Sequence, residues 1–437
     1  MKRQYAATTP SRTVVTSFNP KTTAAKQQLQ EDYFEDGDWV LCVTSGPQWI
    51  SCALSNGELH VYDRERLHPI QTWYDPEKIV TELQRYEDDP NSIFATAVDG
   101  TLSLFDIRQQ QNTAACQWKL PRAPEEEALS ISVGFGGNIC AVGSSKAKVH
   151  FFDVRQTRTL LGTYDQNHTG EVTRVRFQKV YDASTATTST TPLLVSAGED
   201  GIACLYDTSQ PSEETALASI LTVQSPIREV NFFGPQSEGI YCLTGSESLL
   251  LYHKDSAICQ KDFGAGFRNN LSQLVMTSQQ SNNNTSLGAA NSGGQQQQQA
   301  FPVDYLVDCH WDTTHQELKL LAGSAKGDAA VFSVNEGGTT LRQSLLGGHR
   351  GVLRAWEPPS KTNNIDTFVT VGEDARMCEW NDVSSGTGVT VDQTSGAQIP
   401  LWNQTTPAIT WPADRSRARN GGGKVRRPRS RLAATPY

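Results

Sequence analysis

The chain has 437 residues, 37% of them apolar, and a formal charge of −9. Its nine cysteines are scattered with no CxxC pair, which argues against a disulfide framework or a zinc site and for a reducing compartment. No run of about 18 apolar residues occurs, so no membrane span is expected, and the opening MKRQYAATTPSRT lacks the apolar stretch of a secretory signal.

Residues 1–37 are polar and expected to be mostly disordered, apart from a strand-like run at 13–18 (TVVTSF). From residue 39 short runs of period two take over, the mark of half-buried strands. The first unit, 39–74, reads WVLCVT, WISCALSN, ELHVYD and IQTWY. Gly57 follows Ser55-Asn56 and supplies the positive φ of a tight hairpin turn. The next strand ends at Tyr62-Asp63. The second unit repeats the device with Asp99-Gly100 and a strand ending at Phe105-Asp106, and runs to Leu120. PRAPEEE (121–127) reads as an acidic turn.

The third unit, 129–164, lacks the Asp-Gly but ends its matching strand at Phe152-Asp153. The fourth opens at His168, carries LLVSAGEDGIACLYD (193–207) and inserts a Ser/Thr-rich hairpin extension at 181–191, expected to be too polar to pack. The fifth, 225–263, is degenerate and ends its strand at Tyr252-His253. Residues 264–302 contain SNNNTSLGAANSGG and five consecutive Gln; this composition cannot offset its ordering entropy, and a disordered insert is expected. The sixth unit resumes at Asp304, and the seventh opens at His349 and ends its strand at Trp380-Asn381. The tail, 384–437, is expected to be disordered and becomes basic. Eight positive charges follow Asp414, which leaves residues 1–414 at −17.

The matching strand ends fall at 63, 106, 153, 207, 253, 333 and 381, in steps of 43, 47, 54, 46, 80 and 48. About 40–45 residues is the period of a four-stranded propeller blade, and the step of 80 contains the insert. The expected fold is therefore all-β: a seven-bladed β-propeller of four-stranded antiparallel blades over 38–383. In such a ring a terminal segment commonly completes the last blade and removes its open edge. Both 13–18 and 387–391 (TGVTV) fit that role.

His168, Ser196 and Asp200 invite a nucleophilic triad. The same residue types recur in the seventh unit as His349, Thr370 and Asp374, with Trp380 at the strand end and Tyr206 at the corresponding place in the fourth. An enzyme needs one such site; two copies at matched spacing favour a buried structural network in which His reaches the turn Asp and the hydroxyl joins them. His310 and His315 lie beside Asp308 and Asp312, where a strand end entering a turn is the preferred reading over a metal site. No phosphate-binding Gly-rich loop and no GxSxG elbow is present. No cofactor, metal or enzymatic activity is expected.

The units 55–67 (SNGELHVYDRERL), 99–108 (DGTLSLFDIR), 168–177 (HTGEVTRVRF), 195–207 (VSAGEDGIACLYD), 347–353 (GGHRGVL) and 371–380 (VGEDARMCEW) resemble WD repeats, and the whole is similar to the WD repeat-containing protein 89 group. The departures are the insert and the replacement of Trp by Tyr62, Phe105, Phe152 and Tyr206 at several strand ends. The resemblance implies a non-enzymatic scaffold for protein–protein interactions. Phe105-Asp106-Ile107-Arg108 and Phe152-Asp153-Val154-Arg155 resemble the double box of substrate receptors for cullin-4 ubiquitin ligases, which implies Arg108 and Arg155 as contacts to the ligase adaptor. The alternative is that each Arg pairs with a neighbouring carboxylate. Lys424, Arg426, Arg427 and Arg429 form a short basic cluster in a Gly/Pro context, expected to act as a nuclear-import signal read by an import receptor. The acidic remainder opposes a specific nucleic-acid face. A nuclear location is expected, with the cytoplasm as the alternative.

Overall fold

The structure, a computed structural model, describes residues 6–15, 38–109, 111–156, 159–182, 187–283, 301–362 and 365–382. The N-terminal stretch gives β1 (Ala6–Thr8) and β2 (Arg12–Val15). Blade 1 has β3 (Val40–Ser45), β4 (Trp49–Leu54), β5 (Glu58–Asp63) and β6 (Pro69–Tyr74). Blade 2 has β7 (Val80–Arg85), β8 (Ser92–Ala97), β9 (Thr101–Asp106) and β10 (Cys116–Lys119). Blade 3 has β11 (Ala128–Gly134), β12 (Ile139–Ser144), β13 (Val149–Asp153) and β14 (Leu160–Tyr164). Blade 4 has β15 (Val172–Asp182), β16 (Thr187–Gly198), β17 (Ile202–Asp207) and β18 (Leu217–Thr222), with the single-turn helix α1 (Glu213–Ala216) before its last strand. Blade 5 has β19 (Ile227–Phe233), β20 (Gly239–Thr244), β21 (Leu249–His253) and β22 (Ile258–Asp262), followed by α2 (Phe267–Asn283). Blade 6 has β23 (Tyr305–Asp312), β24 (Glu317–Gly323), β25 (Ala329–Asn335) and β26 (Gly338–Leu345). Blade 7 has β27 (Leu353–Thr362), β28 (Ile365–Gly372) and β29 (Arg376–Asn381).

Each blade is an antiparallel meander. The second strands are sandwiched between neighbouring sheets and read as apolar runs; β4, β8 and β20 are buried along their whole length. The fourth strands face outward, and Ile70, Tyr74, Leu160, Leu161 and Ile258 are exposed there. The ring closes: Val40, Ile50 and Leu54 of blade 1 share one core with Val369, Val371 and Met377 of blade 7. Seven four-stranded blades are thus present, as the repeat spacing required.

The closing strand is β2, which pairs antiparallel with β29 from Arg12↔Glu379 to Val15↔Arg376. It overlaps the run 13–18; the competing 387–391 lies outside the described residues, as does the tail from 383. The expectation of disorder before residue 38, which excepted 13–18, is corrected over residues 6–12. Besides β2, β1 adds a fifth, parallel strand to the outer edge of blade 6, Ala6↔Gln343 to Thr8↔Leu345.

Two further corrections concern polar segments. Residues 264–302 do not form an irregular loop throughout, because α2 occupies their first half. Phe267, Leu271 and Val275 recur every four residues and are buried, which gives the helix an apolar stripe despite its Asn and Gln. Val303 N–H donates to Ser272 Oγ at 2.9 Å and fixes the returning chain. Residues 284–300 lie outside the described residues. The hairpin extension of blade 4 pairs as far as Asp182↔Thr187. Its base is tied down: Gln178 Nε2 donates to Ser237 O at 2.8 Å, and Gly136 N–H to Thr190 Oγ1 at 3.1 Å.

Candidate functional site

The turns between second and third strands lie on the same face as the loops that lead from one blade to the next. In blade 4 that geometry brings His168, in the incoming loop, onto Asp200 in the turn. His168 Nδ1 lies 3.1 Å from Asp200 Oδ2, and Nε2 lies 2.7 Å from Ser196 Oγ. Asp200 also accepts the Thr169 and Ile202 amides at 2.8 and 3.2 Å. Blade 7 repeats the set: His349 Nδ1 to Asp374 Oδ1 is 3.0 Å, His349 Nε2 to Thr370 Oγ1 is 2.8 Å, and Trp380 Nε1–H donates to Thr370 Oγ1 at 2.8 Å.

Burial pulls both imidazoles down, but the hydrogen bonds and charges of Asp200 with Cys204, and of Asp374 with Cys378, together outweigh it, and His168 and His349 are each held up at about 9. Burial raises the two carboxyls, yet the His partners carry them below their ordinary value. Tyr206 occupies the register position of Trp380, opposite Leu194 where Trp380 opposes Phe368. It is buried with its ring 4.8 Å from Tyr164. Ser196 and Thr370 are 0% exposed, so neither hydroxyl can meet a substrate. The arrangement fixes a loop to a turn.

Blade 3 carries a network that sequence reasoning missed. Glu126 belongs to the stretch read as an acidic turn, yet it is fully buried. Its Oε1 accepts from Ser144 Oγ at 2.7 Å and lies 2.8 Å from His150 Nε2; His150 Nδ1 lies 2.9 Å from Thr163 Oγ1. Acid and base have exchanged places: the carboxylate comes from the loop and the His from the third strand. The available signal was a blade with no loop His and a His inside its third strand. Glu213, on α1, was also missed; it accepts the Asp165 and Gln166 amides at 2.7 and 3.1 Å.

Arg108 and Arg155 stand on the opposite face, with side chains 58% and 68% exposed. Arg108 Nε donates to Asp106 Oδ1 at 2.8 Å and Nη2 to Asp89 Oδ2 at 2.7 Å. Arg155 Nε and Nη2 donate to the two oxygens of Asp153 at 2.9 and 2.8 Å. The carboxylate pairing set out as the alternative is therefore present at both positions. Lys424, Arg426, Arg427 and Arg429 lie outside the described residues. His315 Nδ1 lies 2.8 Å from Asp312 Oδ2, whereas the His310 ring meets Trp356 edge-on, so the two His do not converge. Among the described residues no group of three or more His, Cys, Asp or Glu is placed to hold a metal ion.

The first strands of the blades line a channel of about 600 Å³. At four junctions a side chain of one blade satisfies the first strand of its neighbour. Glu82 accepts the Ile131 amide at 2.8 Å, Ser130 Oγ the Val175 amide at 3.1 Å, Tyr305 Oη the Leu353 amide at 2.7 Å, and Glu357 the Ser45 amide at 3.1 Å. Arg176 bonds Glu82 at 2.6 Å and Arg174 bonds Glu229 at 2.5 Å. Burial pushes Glu357 up to about 7 and, with the Glu229 charge, Asp308 likewise to about 7. Much of the strand edge that could have paired with an incoming strand is already used.

No protein-family model matches the sequence. Curated relatives do, among them the following three. The chain is 23% identical to the WD repeat-containing protein 89 homolog of Dictyostelium discoideum over 357 residues, 81% of this chain and 86% of that protein. It is 23% identical to WD repeat-containing protein GTS1 of Arabidopsis thaliana over 399 residues, 87% of this chain and 90% of that protein. An uncharacterized WD repeat-containing protein of Saccharomyces cerevisiae is 23% identical over 238 residues, 52% of this chain and 56% of that protein. Two of these alignments run over most of both chains, and the relatives' WD-repeat character agrees with the seven closed blades. The chain is a seven-bladed β-propeller similar in sequence to WD repeat-containing proteins. A chain in the crystal structure of the mitotic checkpoint complex superimposes on this propeller with a TM-score of 0.58 at 13% identity, over 87% of this chain and 98% of that one; the likeness is one of fold. WD-repeat propellers are in general scaffolds for protein interaction, and in this propeller the His networks of blades 4 and 7 brace a loop against a turn.

Proposed function

We propose that this propeller is a non-enzymatic scaffold that binds other proteins through the loops on its two faces, and that it works in the nucleus. The observation that carries the scaffold reading is the direction of its polar chemistry. His168, His349, Glu126 and Glu213 are turned inward to brace loops, and the channel strands are stitched blade to blade. Rigidly held loops with free side chains remain as the binding surface. Glu199 and Lys326 are exposed on the turns of the braced face. Tagged full-length protein should co-purify partners that the Glu199→Lys/Lys326→Glu variant loses. Recovery no different from an unrelated bait would end the scaffold reading.

The nuclear part rests on the basic cluster. Replacing Lys424, Arg426, Arg427 and Arg429 by Ala in a fluorescent fusion should abolish nuclear accumulation; an unchanged nuclear signal refutes import by this cluster. A second reading, substrate receptor of a cullin-4-type ligase, is favoured by one observation: Arg108 and Arg155 are exposed on adjacent blades and each is held in position by its own aspartate. Capture of the ligase adaptor by wild type and its loss in Arg108→Ala/Arg155→Ala would support it, and no capture by wild type would dismiss it.

A further inference from the structure

Both ends of the propeller meet at the junction of blades 6 and 7, and one chain of side chains joins them. Thr8, in β1, receives Gln343 Nε2–H on its Oγ1 at 2.7 Å, while its carbonyl accepts the Leu346 amide at 2.9 Å. The same Gln343 Nε2 donates to Asn381 O at 3.0 Å, in the last strand of the ring. Next to Asn381, Asp382 takes an ion pair from Lys319 Nζ at 2.7 Å, and Lys319 also bonds Asp312 at 2.6 Å. Lys319 and Gln343 are each 2% exposed.

A second thread runs from Arg12. It bonds both oxygens of Glu379, at 2.6 and 2.8 Å, and its Nη atoms reach the carbonyls of Arg64 and Glu65 in blade 1. Glu379 is 3% exposed. Residues 6–15 therefore hold blade 6 through β1, blade 7 through β2 and blade 1 through Arg12.

We infer that residues 6–15 and residues 376–382 form one two-ended clasp, engaged or released as a unit, with Gln343 as the link and Lys319 as the anchor. Filling the open edge of blade 7 requires only β2. The clasp adds reciprocity: loosening either end loosens the other, because each buried partner left behind lacks its counter-charge or hydrogen bond. A released clasp exposes the outer edge of β26 together with that of β29, two sheet edges opened by one event.

Hydrogen exchange of the full-length chain tests this. In Gln343→Ala, peptides covering 6–15 and 376–382 are both expected to exchange faster, by about tenfold, within the range for coupled sites. Blade 3, 128–153, should be unchanged. Lys319→Met should accelerate exchange at 6–15 although Lys319 sits on β24, with β25 and β26 between it and β1. Where Lys319→Met does not fold, Asp382→Asn removes the charge and keeps the shape, and should act in the same direction. Faster exchange confined to blade 6 in Gln343→Ala, or native protection of 6–15 in Lys319→Met or Asp382→Asn, would overturn the coupling.

Discussion

Thr370 shows how much one buried hydroxyl can hold. It serves both His349 and Trp380, so Thr370→Val strands two polar nitrogens in the core while keeping the shape. The expected loss is about 2–3 kcal/mol in a urea titration, against about 1 kcal/mol for Ser196→Ala, which strands only the His168 nitrogen. Equal losses at the two sites would contradict the role given to Trp380. The networks also set a pH dependence. His168 and His349 are raised to about 9 from an ordinary 6.5, so their charged pairs stabilise fully below about pH 6.5 and the contribution is lost as pH rises through 9. The melting temperature should fall between pH 6.5 and 9.5, and the His168→Gln/His349→Gln variant should show a flatter profile. A further test lies in the turns. Gly57, Gly100 and Gly201 take positive φ, and in blade 3 Ala147 takes the same conformation at φ 60°. Ala147→Gly should relieve about 1 kcal/mol of left-handed strain, seen as a rise in stability despite the added chain entropy. The His-Ser/Thr-Asp sets were legible in the sequence because residue type and spacing recur. Glu126 was not, because three consecutive glutamates give no sign of which one turns inward.

Strands announced themselves wherever period two met a turn residue, which covers the blades well. The helix α2 did not, because its stripe of Phe267, Leu271 and Val275 sits in a segment dominated by Asn, Gln and Ser, and composition outweighed periodicity in the reading. β1 is three residues long and owes its pairing to β26 rather than to its own pattern. Short elements of this kind are specified by the surface they meet, which no local signal encodes. Leu271 is fully buried and the helix is peripheral, so Leu271→Asp should detach α2 while leaving the ring folded. Limited proteolysis should then cut within 267–283 far faster than in wild type, with the main melting transition nearly unmoved. A large drop in that transition would instead make α2 part of the ring's core.

At the scale of the whole molecule the repeat period settles the architecture, because each blade is too small to bury its own faces and must share cores with two neighbours. Val195 and Leu205 of blade 4 pack with Val230 and Ile240 of blade 5, and Phe94 and Leu102 of blade 2 with Ile131 and Val142 of blade 3. Open repeat arrays have end units with one neighbour, and unfolding can start there and spread inward. A closed ring has no end unit: blade 7 packs on blade 1 through Val369, Val371 and Met377, and β2 leaves blade 7 without a missing strand. No blade offers a free end from which unfolding could start, and the ring should unfold in a single step. The slowest-exchanging amides of β12 in blade 3 and β28 in blade 7 should accordingly share one free energy of opening, equal to that from denaturant unfolding. Leu54→Ala, at the blade 1–7 seam, should lower both by the same amount, about 2–4 kcal/mol. Different limits in the two blades, or a loss confined to blades 1 and 7, would mean that the ring behaves as an open array with its ends merely touching.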